Sequence, residues 1–188
     1  MKTISEAYLK QQQILHENPQ YGVASLTFAP LVARIISENK IRTISDYGAG
    51  KKRLLEGFKK AGLKNFDYFP YDPVFPHYGA PKEAELVCCI DVLEHIEPDL
   101  LQNVLIDLSR IVIKYGFFSI HTGPAGKTLS DGRNAHLIQE PTSWWLPKLC
   151  EFFDVIRLQV HNHYGTGFWI IVTPKKKSID VFQNSRAF

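Results

Sequence analysis

The sequence predicts an α/β fold built on a mostly parallel sheet with helices on both faces. Three observations carry that expectation. Ile44-Ser-Asp-Tyr-Gly-Ala-Gly-Lys51 reads as a short strand running into a glycine-rich turn that opens a helix. Leu86 to Ile90 is a continuous apolar run, as expected for a parallel strand covered on both faces. Around these segments, strand-like and helix-like stretches alternate along the chain.

The elements follow in order. Ser5 to Glu17 and Leu26 to Asn39 read as helices, the second carrying Leu31, Val32, Ile35 and Ile36 on one side. They form an N-terminal helical cap over residues 1–40, ahead of a core over residues 41–174. The core opens with Thr43 to Tyr47, a strand of β-branched and aromatic residues, and then a helix near Arg53 to Lys60. Asn65 to Asp72 is a second, aromatic-rich strand. Only Pro73 to Glu83 separates it from the apolar strand near Val87, so the third crossover is abbreviated. Pro98 suits the first turn of a helix continuing through Leu101, Val104, Leu105 and Leu108. Gly116 to His121 is another strand and Thr142 to Phe152 a helix. Phe153 to Val160 and Gly167 to Thr173 resemble a terminal antiparallel pair. Right-handed crossovers place Gly48, Asp72, Asp91 and His121 along one carboxyl edge of the sheet, where such sheets bind ligands. Residues 175–188 form a tail of little periodicity, with Lys175-Lys-Lys177 read as a solvated basic end.

Composition narrows the function classes. A chain of 188 residues with 45% hydrophobic content buries the core of one compact domain. No apolar run approaches the ~20 residues of a membrane span, and the N-terminus has no signal-peptide core. The three cysteines fit neither a disulfide framework nor a zinc spacing, because Cys88 and Cys89 are adjacent in a buried strand. A reducing, cytoplasmic compartment is the expectation. The net charge of +3 is too small to argue for a nucleic-acid partner. No pattern specifies an oligomeric state.

Three segments carry chemistry. Gly48 and Gly50 lack a Cβ and let the backbone approach a nucleotide-like ligand. Asp72 follows at the end of the second strand, roughly 20 residues on, where a carboxylate can accept hydrogen bonds from a ribose. Asp91, Glu94 and His95 then follow the apolar strand, within one helical turn.

Together, Asp46-x-Gly48-x-Gly50, Asp72 and Asp91-Val-Leu-Glu-His-Ile96 resemble the class I S-adenosylmethionine-dependent methyltransferases. The last motif is typical of their small-molecule branch. The resemblance covers Ile44 to Pro98 by motif and extends to about Thr173 by strand–helix order. It implies a Rossmann-like fold, S-adenosylmethionine as cofactor, and Asp46, Gly48, Gly50, Asp72 and Asp91 as cofactor-binding residues. In this family, segments ahead of the first strand often close over the cofactor, which makes Tyr21 and His16 candidate pocket residues. Two departures stand out. Lys52 replaces a third glycine, which also argues against a nicotinamide dehydrogenase. The short crossover leaves the adenine contacts unassigned.

Methyl transfer needs the acceptor held in line about 3 Å from the methyl, and an alcohol acceptor also needs a base or a metal. His95, His121 and His136 are the candidate catalytic residues near the carboxyl edge. His136 lies in a long polar loop, a kind of segment that often carries acceptor contacts. Trp144 and Trp145 are candidates for stacking on a sugar or base. Asp91-x-x-Glu94-His95 also resembles the E-x-x-E-H motif of metal-dependent methyltransferases of quinone precursors and RNA 3′ ends. Those carry a further distant histidine, for which His136 or His121 could stand. Oxygen and imidazole ligands would suit Mg²⁺ or Mn²⁺. The sequence thus points to methyl transfer to a hydroxyl of a small molecule or glycan. A metal-dependent RNA 2′-O-methyltransferase and a non-catalytic cofactor-binding module are the alternatives.

Overall fold

The computed structural model describes residues 1–162 and 165–175. Most of the expected C-terminal tail, 175–188, lies outside the described residues. Among the described residues, six strands form one sheet in the order β2-β1-β3-β4-β6-β5. These are β1 (Thr43–Tyr47), β2 (Asp67–Tyr71), β3 (Ala84–Ile90), β4 (Val112–His121), β5 (Phe153–His161) and β6 (Gly167–Pro174). The first four run parallel, and β6 inserts antiparallel between β4 and β5.

Five α-helices among the described residues flank the sheet: α1 (Glu6–Glu17), α2 (Ser25–Glu38), α3 (Arg53–Lys60), α4 (Leu101–Ile111) and α5 (Thr142–Phe152). Period-two alternation along the strands divides the core between two layers. Leu86, Cys88 and Ile90 of β3 pack with α2 and α3 against Val32, Ile36, Leu54 and Phe58. Val87 and Cys89 turn the other way, onto Val104, Leu105 and Leu108 of α4 and Trp145 and Leu149 of α5. Cys88 and Cys89 therefore face opposite layers as free thiols.

Several expected boundaries shift. Ser5 lies outside α1 as its N-cap, its side chain accepting from the Tyr8 amide. β4 begins at Val112, straight after α4, and not at Gly116, because Val112 is drawn into register opposite Ala84. Leu93–His95 and Pro98–Leu100 are 3-10 turns ahead of α4, so Asp91, Glu94 and His95 do not share a turn of α-helix. Asp91 has φ 52°, which reverses the chain at the end of β3. The third crossover is as short as the sequence implies: a single 3-10 turn, Pro76–Tyr78, lies between β2 and β3. Trp145 is fully buried in the core, and Trp144 packs against that core with Lys148 over its ring. Neither tryptophan lines the cleft described next, which corrects their expected stacking role.

Candidate active site

The carboxyl ends of β1, β3 and β4 open into a cleft of about 520 Å³. Asp46, Gly48, Gly50, Asp72, Asp91, His95, His121, His136, Tyr21 and His16 all border it. Every residue singled out for cofactor binding or catalysis in the sequence thus reaches one concavity.

The glycine turn is internally hydrogen-bonded. The amides of Gly48 and Ala49 both donate to the Tyr71 carbonyl, at 2.8 and 2.9 Å, and the Gly50 amide donates to Asp72 Oδ2 at 2.9 Å. A turn whose amides are spent this way is not a pyrophosphate cradle, which needs free N–H donors. Gly48 has φ +80°, and a Cβ there would overlap the Val92 side chain. Lys52 takes the left-handed conformation itself, φ 59°, and its Nζ lies 4.3 Å from the centre of the Tyr78 ring. That cation–π contact helps hold a lysine where glycine would be easier.

The acids along this edge are buried to different ends. Asp46 is 3% exposed and accepts a hydrogen bond from the Tyr68 hydroxyl. Burial pushes its carboxyl up to about 7, against the opposing pull of Tyr68 and with help from Asp72. Asp72 accepts the amides of Gly50 and Val74, each at 2.9 Å. Burial raises its carboxyl, and those two amides oppose the shift. Asp91 is held by the Ser119 hydroxyl, which donates to Oδ1 at 2.6 Å.

Three histidines from separate segments meet deeper in the cleft. The His136 ring lies 4.7 Å from that of His95 and 4.8 Å from that of His121, centre to centre. His95 Nδ1 pairs with the Ala135 carbonyl and His136 Nδ1 with the Gly123 carbonyl, both at 2.7 Å. Burial, and then His136, pull the His95 imidazole down to about 3. Burial also lowers His136, opposed by its bond to the Gly123 carbonyl. Glu94, fully buried beneath them, accepts the His121 amide at 2.8 Å. Burial first, and then Asp91, raise its carboxyl well above the usual range. Glu94 is therefore an interior group and not a helix-surface acid.

The helical cap forms the opposite wall. Tyr21 donates to Gln12 Oε1 at 3.2 Å, and Gln12 donates to the Tyr8 hydroxyl at 2.6 Å. Burial raises the Tyr21 phenol. His16 packs edge-on to Tyr21 and Phe75, and burial followed by Lys51 pulls its imidazole down to about 4. Tyr8 and Gln12 were not singled out from the sequence. Their signal was there: Tyr8, Gln12 and His16 recur at four-residue spacing along one helix face.

No protein-family model matches the sequence, and no curated protein matches it. Solved structures do. The 1,6-didemethyltoxoflavin-N1-methyltransferase of Burkholderia thailandensis, solved with 1,6-didemethyltoxoflavin and S-adenosylhomocysteine, aligns with a TM-score of 0.63 at 13% identity, over 94% of this chain and 93% of its own. An S-adenosylmethionine-dependent methyltransferase of Clostridium acetobutylicum aligns at 0.57 and 12% identity, over 91% and 100%. Magnesium protoporphyrin IX methyltransferase of Synechocystis, solved with bound S-adenosylhomocysteine, aligns at 0.54 and 10% identity, over 90% and 95%. With so few residues in common, the likeness is one of architecture. The chain has the Rossmann-like fold of the S-adenosylmethionine-dependent methyltransferases.

Proposed function

We propose that this protein transfers a methyl group from S-adenosylmethionine to a hydroxyl of a small molecule or glycan. The observation that carries the reading is the meeting of His95, His121 and His136 in the cleft that the glycine turn and Asp72 border. The first two segments suit a nucleoside cofactor, and the histidines suit an acceptor that must lose a proton.

In this reading Gly48 and Gly50 admit the methionine end of the cofactor, Asp72 accepts from its ribose, and Asp46 and Asp91 complete the cofactor contacts. Tyr21 and His16 close over it from the cap. The acceptor oxygen attacks the methyl carbon in line, the carbon–sulfur bond breaks, and the hydroxyl proton passes to an imidazole. His136 is the better base of the two shifted histidines, because His95 is too weakly basic at about 3. His121 completes the histidine wall. The cleft lining also favours a small acceptor over RNA. Asp72, Asp91 and Glu97 border it, and Lys127 is the one lysine or arginine among the described lining residues. That balance attracts a sulfonium cation and repels a polyphosphate.

Calorimetry with S-adenosylmethionine tests the premise. Binding that weakens at least tenfold in Asp72→Ala is expected, and no binding at millimolar cofactor overturns the reading. A screen of sugars, phenols and nucleotides then tests methyl transfer itself. Wild-type turnover in both His95→Ala and His136→Ala would reject the catalytic assignment, whereas cofactor binding with no transfer to any acceptor would leave a cofactor-binding module.

A further inference from the structure

We propose that Glu94, His95 and His136 form a binding site for one divalent transition-metal ion. One carboxylate oxygen of Glu94 and one ring nitrogen from each histidine lie within 4.8 Å of one another. Both imidazoles have Nδ1 against a main-chain carbonyl, at Ala135 and Gly123. A carbonyl oxygen only accepts, so each neutral ring carries its proton on Nδ1 and presents Nε2 as a lone pair. Outer hydrogen bonds of this kind fix the tautomer and orientation of metal-binding histidines.

Glu94 adds an independent observation. Its side chain is fully buried, Oε1 accepts the His121 amide, and Oε2 has no hydrogen-bond partner. A buried polar oxygen left unpaired is costly, and a cation held between it and two imidazole lone pairs removes that cost. Donors about 2.0–2.2 Å from an ion sit about 3.4 Å from one another. Side-chain rotations that draw the three groups inward supply the closure.

The ligand set also departs from the Asp91-x-x-Glu94-His95 run in the sequence. Asp91 stands outside the cluster, with Oδ1 taken by the Ser119 hydroxyl. Two imidazoles and one carboxylate favour Zn²⁺, Co²⁺, Fe²⁺ or Mn²⁺ over Mg²⁺, which prefers oxygen donors. An ion here would occupy the His136 lone pair and, in place of that imidazole as base, would supply Lewis-acid assistance to an acceptor hydroxyl. That role rests on the methyl-transfer reading; ion binding does not.

Cobalt(II) is the probe. Chelator-stripped protein is titrated with CoCl₂ and followed by equilibrium dialysis and visible absorption, with S-adenosylmethionine binding measured separately on each variant. One ion per chain with d–d bands is expected. The affinity should fall at least tenfold in His136→Gln and in His95→Gln, and hold in His77→Gln, an exposed histidine outside the cluster. Cofactor binding retained in His136→Gln shows that the variant is folded. Absence of bands at millimolar cobalt, or bands unchanged in both cluster variants, overturns the site whatever the outcome with the cofactor.

Discussion

At the residue scale, two side chains in the glycine-turn region make separable predictions. Gly48 combines a positive φ with a Cβ position that overlaps Val92. Gly48→Ala is expected to cost about 2 kcal/mol or more from the backbone and the overlap together, visible as a lower Tm. An unchanged Tm would mean that the turn relaxes freely. Asp46 predicts a pH dependence. Its carboxyl stays protonated in the folded protein up to about 7, whereas the unfolded chain ionises near the ordinary aspartate value of 3.8. The folded state therefore holds more protons across that interval. The associated stability is full below about pH 4 and is lost as pH rises through about 7. His16 and His95, both lowered, act in the opposite sense toward acid pH. The difference between wild type and Asp46→Asn isolates the aspartate. Chemical denaturation from pH 4 to 8 should show a shallower loss of stability with rising pH in the variant, and parallel curves would refute the assignment. The type and place of these residues were legible in the sequence. The burial that retunes Asp46 and hides Glu94 was not, because it depends on neighbours such as Tyr68 and Val92 that only folding brings close.

At the element scale, α2 is buried in the core, whereas the link between α1 and α2 is tied down by a few polar contacts. Lys51, just after the glycine turn, donates from Nζ to the carbonyls of Asn18 and Tyr21, at 2.8 and 3.4 Å. Those carbonyls belong to the link between α1 and α2 that carries Tyr21 to the cleft. Lys51→Ala should raise amide exchange across residues 18–24 and weaken cofactor binding by up to about tenfold, the worth of a charged hydrogen bond. Exchange confined to wild-type rates would show that the link is held by packing alone. Helices with strong apolar periodicity, α2 and α3 above all, could be read directly from the sequence. The junction of α4 with β4 could not. Ile111 to Ile113 is apolar across the boundary, and only the pairing of Val112 with Ala84 decides where the helix stops. The 3-10 turn at Leu93–His95 was equally hidden, since its residues suit a helix start as well.

At the scale of the whole molecule, the alternation of elements revealed the layered sheet, and the spacing of Pro73 to Glu83 revealed the shortened crossover. What spacing could not reveal is the convergence of His95 and His136, which are 41 positions apart in the chain. They meet because the β4–α5 connection folds back, with Ile138 donating to the Glu94 carbonyl at 3.0 Å. The shortened crossover has a further consequence, for colloidal behaviour. β2 ends the sheet with no strand on its outer side among the described residues. A bare strand invites a second chain to zip along it. Pro70, inside β2, has no N–H to offer such a ladder, and Lys82 sets a charge 5.0 Å from the Phe69 ring beside it. Pro70→Val should leave cofactor affinity intact and produce concentration-dependent aggregation in light scattering, whereas a variant as monodisperse as wild type would assign that protection elsewhere. The crossover that shortens the chain also leaves an open seam along β2, where the ring of Pro70 withholds one N–H that an incoming strand would need.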